Sequence, residues 1–191
     1  TTLVTDELDF PNLSMVGVDD RAAAYTAVDY LIRQGHRKIA VLGGPVTSYP
    51  SLMRRQGAQQ AMEDAGIVFN DKLYGLSNYD FESAYHAMNS LLARRAEFTA
   101  LFAMSDVIAF GAIRALVSAG LRVPEDVSVI GFDGITMSRY CVPVMTTIVQ
   151  PSEQIALQSI ELLVRQIEHG SPAQTVTLQP ELQQGESVRA I

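Results

Sequence analysis

The stretch Leu121–Asp133 reads Leu-Arg-Val-Pro-Glu-Asp-Val-Ser-Val-Ile-Gly-Phe-Asp, and the fold prediction is built outward from it. The β-branched apolar residues between Pro124 and Gly131 predict a strand that is buried on both faces of a parallel sheet. This strand ends at Asp133, and open α/β sheets bind ligands beyond the carboxyl ends of their strands. Asp133 is therefore a candidate ligand contact, although an aspartate here is equally typical of a turn or a helix cap.

Strands and helices alternate before this stretch. Short apolar runs predict strands, and apolar residues at helical spacing predict the helices between them. This alternation is typical of right-handed βαβ crossovers, so the predicted class is α/β with a doubly wound parallel sheet. The predicted strands cover 3–4, 15–18, 38–43, 72–76 and 99–103, with a polar loop at Pro11, and the predicted helices begin at Arg21, Ser51, Asp80 and Ser105-Asp106.

After Asp133 the pattern changes. Residues 145–149 predict a strand, which Gln150-Pro151 interrupts because proline cannot donate a hydrogen bond into a ladder. Ser152 is the predicted cap of a long helix that ends at Gly170. An interrupted strand followed by a helix is typical of a chain that crosses between two sheets. One face of this predicted helix carries Ala156, Ile160, Leu163 and Ile167.

Composition limits the classes of function. With 191 residues, of which 48% are hydrophobic, the chain can bury a sizeable core. Its 14 basic and 21 acidic residues give a formal charge of −7, which disfavours DNA binding by this chain itself. A lone Cys141 excludes an internal disulfide and suits the cytoplasm. No apolar run is long enough for a membrane span, and no signal-peptide pattern is present.

The sequence contains none of the common catalytic or phosphate-binding motifs, and no histidine is paired with a nucleophile. His36, His86 and His169 all fall within or at the ends of predicted helices, and His36 is interpreted as structural. We therefore predict a binding protein without catalytic residues, metal ligands or a cofactor. A small α/β enzyme is the weaker hypothesis.

Four segments together resemble the effector-binding core of the lactose-repressor (LacI/GalR) family of bacterial transcription regulators. They follow one another in the order found in that family and extend over roughly residues 16 to 189. The four segments are Leu31–Ile39, Phe102–Asp106 with Gly111-Ala112, Val123–Asp133 and Thr146–Pro151.

The resemblance implies a two-lobed, periplasmic-binding-protein-like fold of type I, with an effector between the lobes. Residues 1–35 and 151–177 would form an incomplete N-terminal lobe, and residues 36–150 and 178–191 would form the C-terminal lobe. The crossings would lie at Gly35–Arg37, at Gln150-Pro151 and near Thr177–Gln179. A helix-turn-helix domain before Thr1 would bind operator DNA, and the protein would be a homodimer.

The resemblance also implies five effector contacts: Arg54, Asp133, Tyr79, Ser105 and Gln150. Arg54, in the pattern Arg54-Arg55-Gln56-Gly57, would bind effector oxygens, and Asp133 would accept from effector hydroxyl or amine groups. Tyr79 would stack on the effector, Ser105 would supply a polar contact, and Gln150 would reach the effector from a crossing. Three neighbouring residues have other expected roles: Arg55 as an exposed arginine, Phe81 in the core and Asp106 as a helix cap.

A sugar is the favoured effector, because arginine, aspartate and a stacking aromatic commonly hold polyhydroxylated rings. A purine or a phosphoprotein partner stays open, since Gly134 stands where many relatives carry Asp or Asn. The alternative function is a periplasmic solute-binding protein that serves a transporter.

Overall fold

Contacts divide the chain into two units, which are described here from a computed structural model that covers residues 2–3 and 13–191. Unit 1 contains Thr1–Asp19 and Gln150–Glu181, and unit 2 contains Asp20–Val149 and Leu182–Ile191. Val4 and the predicted polar loop at Pro11 lie outside the described residues. The elements are β1 (Thr2–Leu3), β2 (Ser14–Val18), α1 (Asp20–Arg33), β3 (Ile39–Gly43), α2 (Tyr49–Asp64), β4 (Tyr74–Leu76), α3 (Phe81–Ala93), β5 (Ala100–Ala103), α4 (Asp106–Ser118), β6 (Ser128–Asp133), β7 (Thr146–Val149), α5 (Ser152–His169), β8 (Thr175–Leu178) and β9 (Glu181–Gln183).

Unit 2 is built on a six-stranded sheet with the order β4-β3-β5-β6-β7-β9. The pairs from β4 through β7 are parallel. Every residue of β3 and β5 is buried, as are five of the six residues of β6, because helices cover both faces of a parallel sheet. The prediction of an α/β fold with parallel sheets is therefore confirmed, and β6 lies in the middle of the sheet as the Leu121–Asp133 stretch predicts.

Unit 1 contains the parallel three-stranded sheet β1-β2-β8, against which α5 packs. The apolar face that the sequence indicates is not the face that α5 buries. The residues that α5 buries are Ile155, Ser159 and Leu162, whereas Ile160 and Ile167 are 61% and 74% exposed. The helix carries apolar residues on more than one side, so periodicity alone does not identify the side that faces β2 and β8.

The division into units corrects one predicted boundary. Helix α1 was predicted to lie in the N-terminal lobe, but it belongs to unit 2, where it packs against α2. The chain therefore passes between the units at Asp19–Asp20 and not at Gly35–Arg37. The other two passages are Val149–Gln150 and Glu181–Leu182.

Two close helix contacts organise unit 2. A Cβ atom on Gly57 of α2 would lie 2.0 Å from the backbone oxygen of Arg21 in α1. Likewise, a Cβ atom on Gly111 of α4 would lie 2.5 Å from the backbone oxygen of Phe81 in α3. Glycine lets the two helices of each pair approach to backbone contact, which fixes how α1 and α2, and α3 and α4, lie on the sheet.

The residues at the helix ends agree with the sequence predictions at α3 and differ from them at α2. Asp80 lies at the predicted start of its helix and caps α3, since its carboxylate accepts from Ser83 N at 2.7 Å. Ser51 was predicted to cap α2, but Ser48 is the cap and Ser51 lies in the first turn. Phe81 was expected in the core and is 48% exposed, because it is the first residue of α3.

The C-terminal segment, residues 185–191, lies against the amino ends of the strands in unit 2. Ser187 donates to Val129 O and accepts from Thr146 N, which joins the starts of β6 and β7. His36, buried as a structural residue, contacts Thr99 Oγ1 through Nδ1 at 2.9 Å and Arg189 O through Nε2 at 3.1 Å. Burial lowers the pKa of His36, so the ring stays neutral at physiological pH.

Candidate ligand site

A cavity of about 320 Å³ lies at the carboxyl ends of β3, β5 and β6 in unit 2. This volume is near the lower end of the range of about 300 to 1,000 Å³ that is usual for small-molecule sites. Four of the five predicted effector contacts line it. The lining residues are Ser48, Pro50, Arg54, Tyr79, Ser105, Val107 and Asp133.

Arg54 is the most constrained side chain of the site. It is only 6% exposed, and its Nε donates to Asp20 Oδ1 at 2.6 Å. Its Nη1 donates to the backbone oxygen of Met104 and lies 3.6 Å from Asp133 Oδ1. The guanidinium also lies 3.7 Å from the ring centroid of Phe132, within the range of a cation–π contact. The planar guanidinium is thus held at the cavity by the start of α1 and the ends of β5 and β6.

Asp133 ends β6 and points its carboxylate to the same cavity as Arg54. Its side chain keeps 28% of its surface exposed, in contrast to the buried Asp20 on the other side of the guanidinium. The backbone of Asp133 has a φ of +107°, a region that L-residues rarely adopt, and Gly134 follows with +69°. Local strain of this kind persists only where the surrounding structure holds it, and it is common at ligand sites.

Tyr79 lies in the connection between β4 and α3 and also has a positive φ, +61°. Its ring packs against Gly44, where a Cβ atom would come within 2.1 Å of Tyr79 Cε2. Its hydroxyl oxygen is buried and has no hydrogen-bond partner within residues 2–3 and 13–191. Tyr79 thus lines the cavity with its hydroxyl oxygen buried.

Ser105 takes the cap role that the sequence suggests for Asp106. Ser105 caps α4, because its hydroxyl oxygen accepts from Ile108 N at 3.1 Å, and it also lines the cavity. Asp106 was expected to be the cap, but it is fully buried. It accepts from Thr147 Oγ1 at 2.6 Å and from Ile135 N at 2.8 Å. Burial raises the pKa of Asp106 to about 6, despite the opposing effect of these hydrogen bonds.

Gln150 belongs to unit 1, so its contact with an effector stays a prediction. Sequence reasoning missed Asp20, Phe132 and Met104 as partners of Arg54, and it missed the buried position of Asp106. One signal for Asp20 and Asp106 was available in the sequence. Both follow closely after a predicted strand, and Asp133, which was predicted as a site residue, lies at the end of one. In both cases the position favoured a helix cap, which is the more common role of an aspartate there.

The charges at the site favour hydrogen bonding to an uncharged ligand. The guanidinium of Arg54 is already paired with Asp20 and lies beside Asp133, so no excess positive charge faces the cavity. The described residues contain no group of three or more His, Cys, Asp and Glu side chains that could hold a metal ion. In the same part of the chain, no helix has the length and apolar character needed to cross a membrane.

Comparison with known proteins agrees with this architecture. Residues 28–188 match the family model of the periplasmic binding protein-like domain. The chain is 35% identical over 181 residues to the HTH-type transcriptional repressor PurR of Histophilus somni strain 129Pt, covering 94% of this chain and 54% of that protein. The chain thus spans about half the length of the curated relatives it matches.

Two solved structures extend the match to three dimensions. The complex of the transcriptional regulator CelR with cellobiose superposes with a TM-score of 0.91 at 32% identity, covering 97% of this chain and 57% of that one. A sugar-binding transcriptional regulator of the LacI family from Escherichia coli, in complex with phosphate, gives 0.85 at 32% identity, covering 94% and 69%. The fold and the site thus define a periplasmic-binding-protein-like, ligand-binding domain. The chain belongs to the LacI family of transcriptional regulators.

Proposed function

We propose that this chain is the effector-binding and dimerisation core of a ligand-responsive, DNA-binding transcription regulator, most simply a repressor that senses a sugar. The observation that carries this proposal is the pairing of Arg54 with Asp133 at one cavity. The pair offers planar donors beside a carboxylate acceptor, which suits neighbouring hydroxyl groups of one ring. In this proposal Ser105 and Gln150 add polar contacts, and the Tyr79 ring stacks on the effector.

Membership in a family of regulators supports this function over the periplasmic solute-binding alternative. With a net charge of −7, this chain would leave operator binding to a helix-turn-helix domain outside residues 1–191. Two such domains would read a two-fold operator, so we propose a homodimer that acts in the cytoplasm. The codons upstream of Thr1 test this proposal: a helix-turn-helix supports the regulator, and a secretory signal peptide supports the transporter protein.

The site charges lead to the first prediction. We expect the chain to bind a neutral sugar and to discriminate against its phosphorylated form, because Asp20 already neutralises Arg54 and Asp133 repels an anion. Asp133→Asn should lower the affinity for the neutral sugar by roughly 10- to 100-fold, the equivalent of one charge-assisted hydrogen bond. The same change should weaken the discrimination against the phosphorylated sugar.

Titration calorimetry with ribose, cellobiose and ribose 5-phosphate measures these affinities. Asp126→Asn is the matched control, because Asp126 is paired with Arg122 at the surface and does not line the cavity. Chromatography should recover each sugar unchanged, as expected of a binding protein. Tighter binding of ribose 5-phosphate than of ribose would contradict the charge argument, and full affinity in Asp133→Asn would contradict the site.

A second prediction separates the Tyr79 ring from its hydroxyl. Because the hydroxyl oxygen is buried without a partner among the described residues, Tyr79→Phe should keep sugar affinity within about twofold and should not lower stability. Tyr79→Ala should lower the affinity about tenfold or more, since it removes the stacking surface. The sugars that bind the parent chain serve as probes in calorimetry. Equal losses in the Phe and Ala variants would mean that the hydroxyl, and not the ring, contacts the sugar.

A further inference from the structure

Asp106 links three segments beside the cavity. It is the first residue of α4, and its carboxylate accepts from Thr147 Oγ1 of β7 and from Ile135 N after β6. Gly131 leaves the space for this carboxylate, since a Cβ atom there would lie 2.2 Å from Asp106 Oδ1.

The backbone donor, the N–H of Ile135, belongs to the turn that follows Asp133, which we call the Asp133 turn (residues 133–135). Asp133 has an unfavourable φ of +107°, so this turn needs contacts that compensate for the strain. Asp106 provides such a contact directly, because its carboxylate accepts from the N–H of Ile135, two residues after Asp133, at 2.8 Å. A carboxylate binds such donors about twice as strongly as a neutral acceptor does.

We propose that Asp106 is a positioning residue of the ligand site, whose ionised carboxylate holds the Asp133 turn so that Asp133 meets the ligand in its binding geometry. The effect on ligand binding rests on the proposed function, whereas the role of Asp106 in holding the turn does not. Protonation of Asp106 would leave the N–H of Ile135 with a weaker, neutral acceptor. Thr147 would then have to change from donor to acceptor.

The surroundings of Asp106 set the pH at which this happens. The titratable groups that interact with it are Asp133 at the end of β6 and Cys141 in the following segment, while Arg54 of α2 lies beside Asp133. Burial raises the pKa of Asp106 to about 6, and the hydrogen bond from Thr147 opposes that rise. Ligand affinity should therefore fall as the pH decreases through about 6.

Acid affects stability in the opposite direction through the same group. Because the pKa in the folded chain lies above the ordinary value of 3.8, the contribution of Asp106 to stability is fully present below that value. This contribution is lost as the pH rises through about 6. Acidification from pH 7 to pH 4 thus strengthens the fold at Asp106 while it loosens the Asp133 turn, a combination that a purely structural residue would not produce.

Asp106→Asn tests the proposal, because asparagine keeps the shape and copies the protonated acid. At pH 7.5 this variant should fold and should bind cellobiose or ribose roughly fivefold more weakly than the parent chain. Its affinity should also be unchanged between pH 7.5 and pH 5, whereas the parent should lose about that factor. Asp126→Asn is the control, and it should retain the parental pH profile.

Nuclear magnetic resonance of the ligand-free chain measures how the amide signals of the Asp133 turn change with pH. In the parent chain, the amide signals of Gly134 and Ile135 should titrate with a midpoint near pH 6, and this titration should be absent in Asp106→Asn. Thr147→Val removes the donor that favours the anion, so it should move the midpoint to higher pH. Amide signals that do not titrate between pH 5 and pH 7.5, or that titrate equally in Asp106→Asn, would overturn the proposal. If neither sugar binds at any pH, the sugar function fails and the amide titration still decides the role of Asp106.

Discussion

Replacing Arg54 with alanine is expected to lower the free energy of unfolding by about 3–5 kcal/mol, the usual cost of leaving one member of a buried ion pair alone. Asp20 would be that member, since its side chain is 6% exposed and Arg54 Nε lies 2.6 Å from its carboxylate. The variant would also lose the contact with the Phe132 ring and the donor to Met104 O. For a chain of this size, the expected fall in Tm is roughly 6–20 °C.

Arg55→Ala is the matched control, because Arg55 is the next residue of the same helix. Its side chain is 38% exposed, pairs with Asp71 at 3.3 Å and lies over the Tyr74 ring, so its loss should cost about 1 kcal/mol or less. Urea unfolding measures both variants. Adding Asp20→Asn to Arg54→Ala should restore part of the lost stability, because the unpaired charge is removed. Equal stability of the Arg54 and Arg55 variants would refute the buried ion pair.

Replacing Gly57 with alanine should lower the free energy of unfolding by about 2–3 kcal/mol, even though alanine favours helix by about 1 kcal/mol over glycine. The added Cβ would lie 2.0 Å from Arg21 O and 3.0 Å from Tyr25 N, both of them backbone atoms. Backbone cannot rotate away as a side chain can, so α1 and α2 would have to separate. The steric cost therefore exceeds the gain in helix propensity.

Gln56→Ala provides the comparison for Gly57→Ala, since Gln56 is exposed on the same helix. Its effect should stay within about 0.5 kcal/mol. Gly111→Ala should resemble Gly57→Ala, because its Cβ would lie 2.5 Å from Phe81 O. Thermal and urea unfolding measure all three variants, and a Gly57→Ala chain more stable than the parent would show that helix propensity outweighs the close contact.

The fold of unit 2 was predictable because two signals indicate its strands: their apolar composition and the turn or cap residues that follow them. β3 and β5 are continuous apolar runs, and each is followed by turn or cap residues and then by a helix, whereas β6 leads through a turn to β7. The face of α5 was not predictable from the same kind of signal. Its apolar residues surround much of the helix, and only the contacts with β2 and β8 select Ile155 and Leu162 as the buried ones.

The candidate site was predictable only in part, for a related reason. Asp133 was found because it ends a buried strand of the predicted parallel sheet, and Arg54 because it stands in a family pattern. Asp20 and Asp106 resembled ordinary helix caps, since their partners Arg54 and Thr147 are distant in sequence. A short-range pattern cannot reveal a hydrogen bond between residues more than thirty positions apart.

The two ends of the unit 2 sheet differ, because one is closed by the C-terminal segment and the other opens onto the cavity. Residues 185–191, with His36, close the amino ends of the strands, whereas Arg54, Ser105 and Asp133 surround the opening at the carboxyl ends. Under the proposed function, mutations at the closed end should change the amount of folded protein, whereas mutations of Ser105 and Asp133 at the open end should change ligand preference. Arg54 should affect both, because it belongs to the buried ion pair as well as to the cavity.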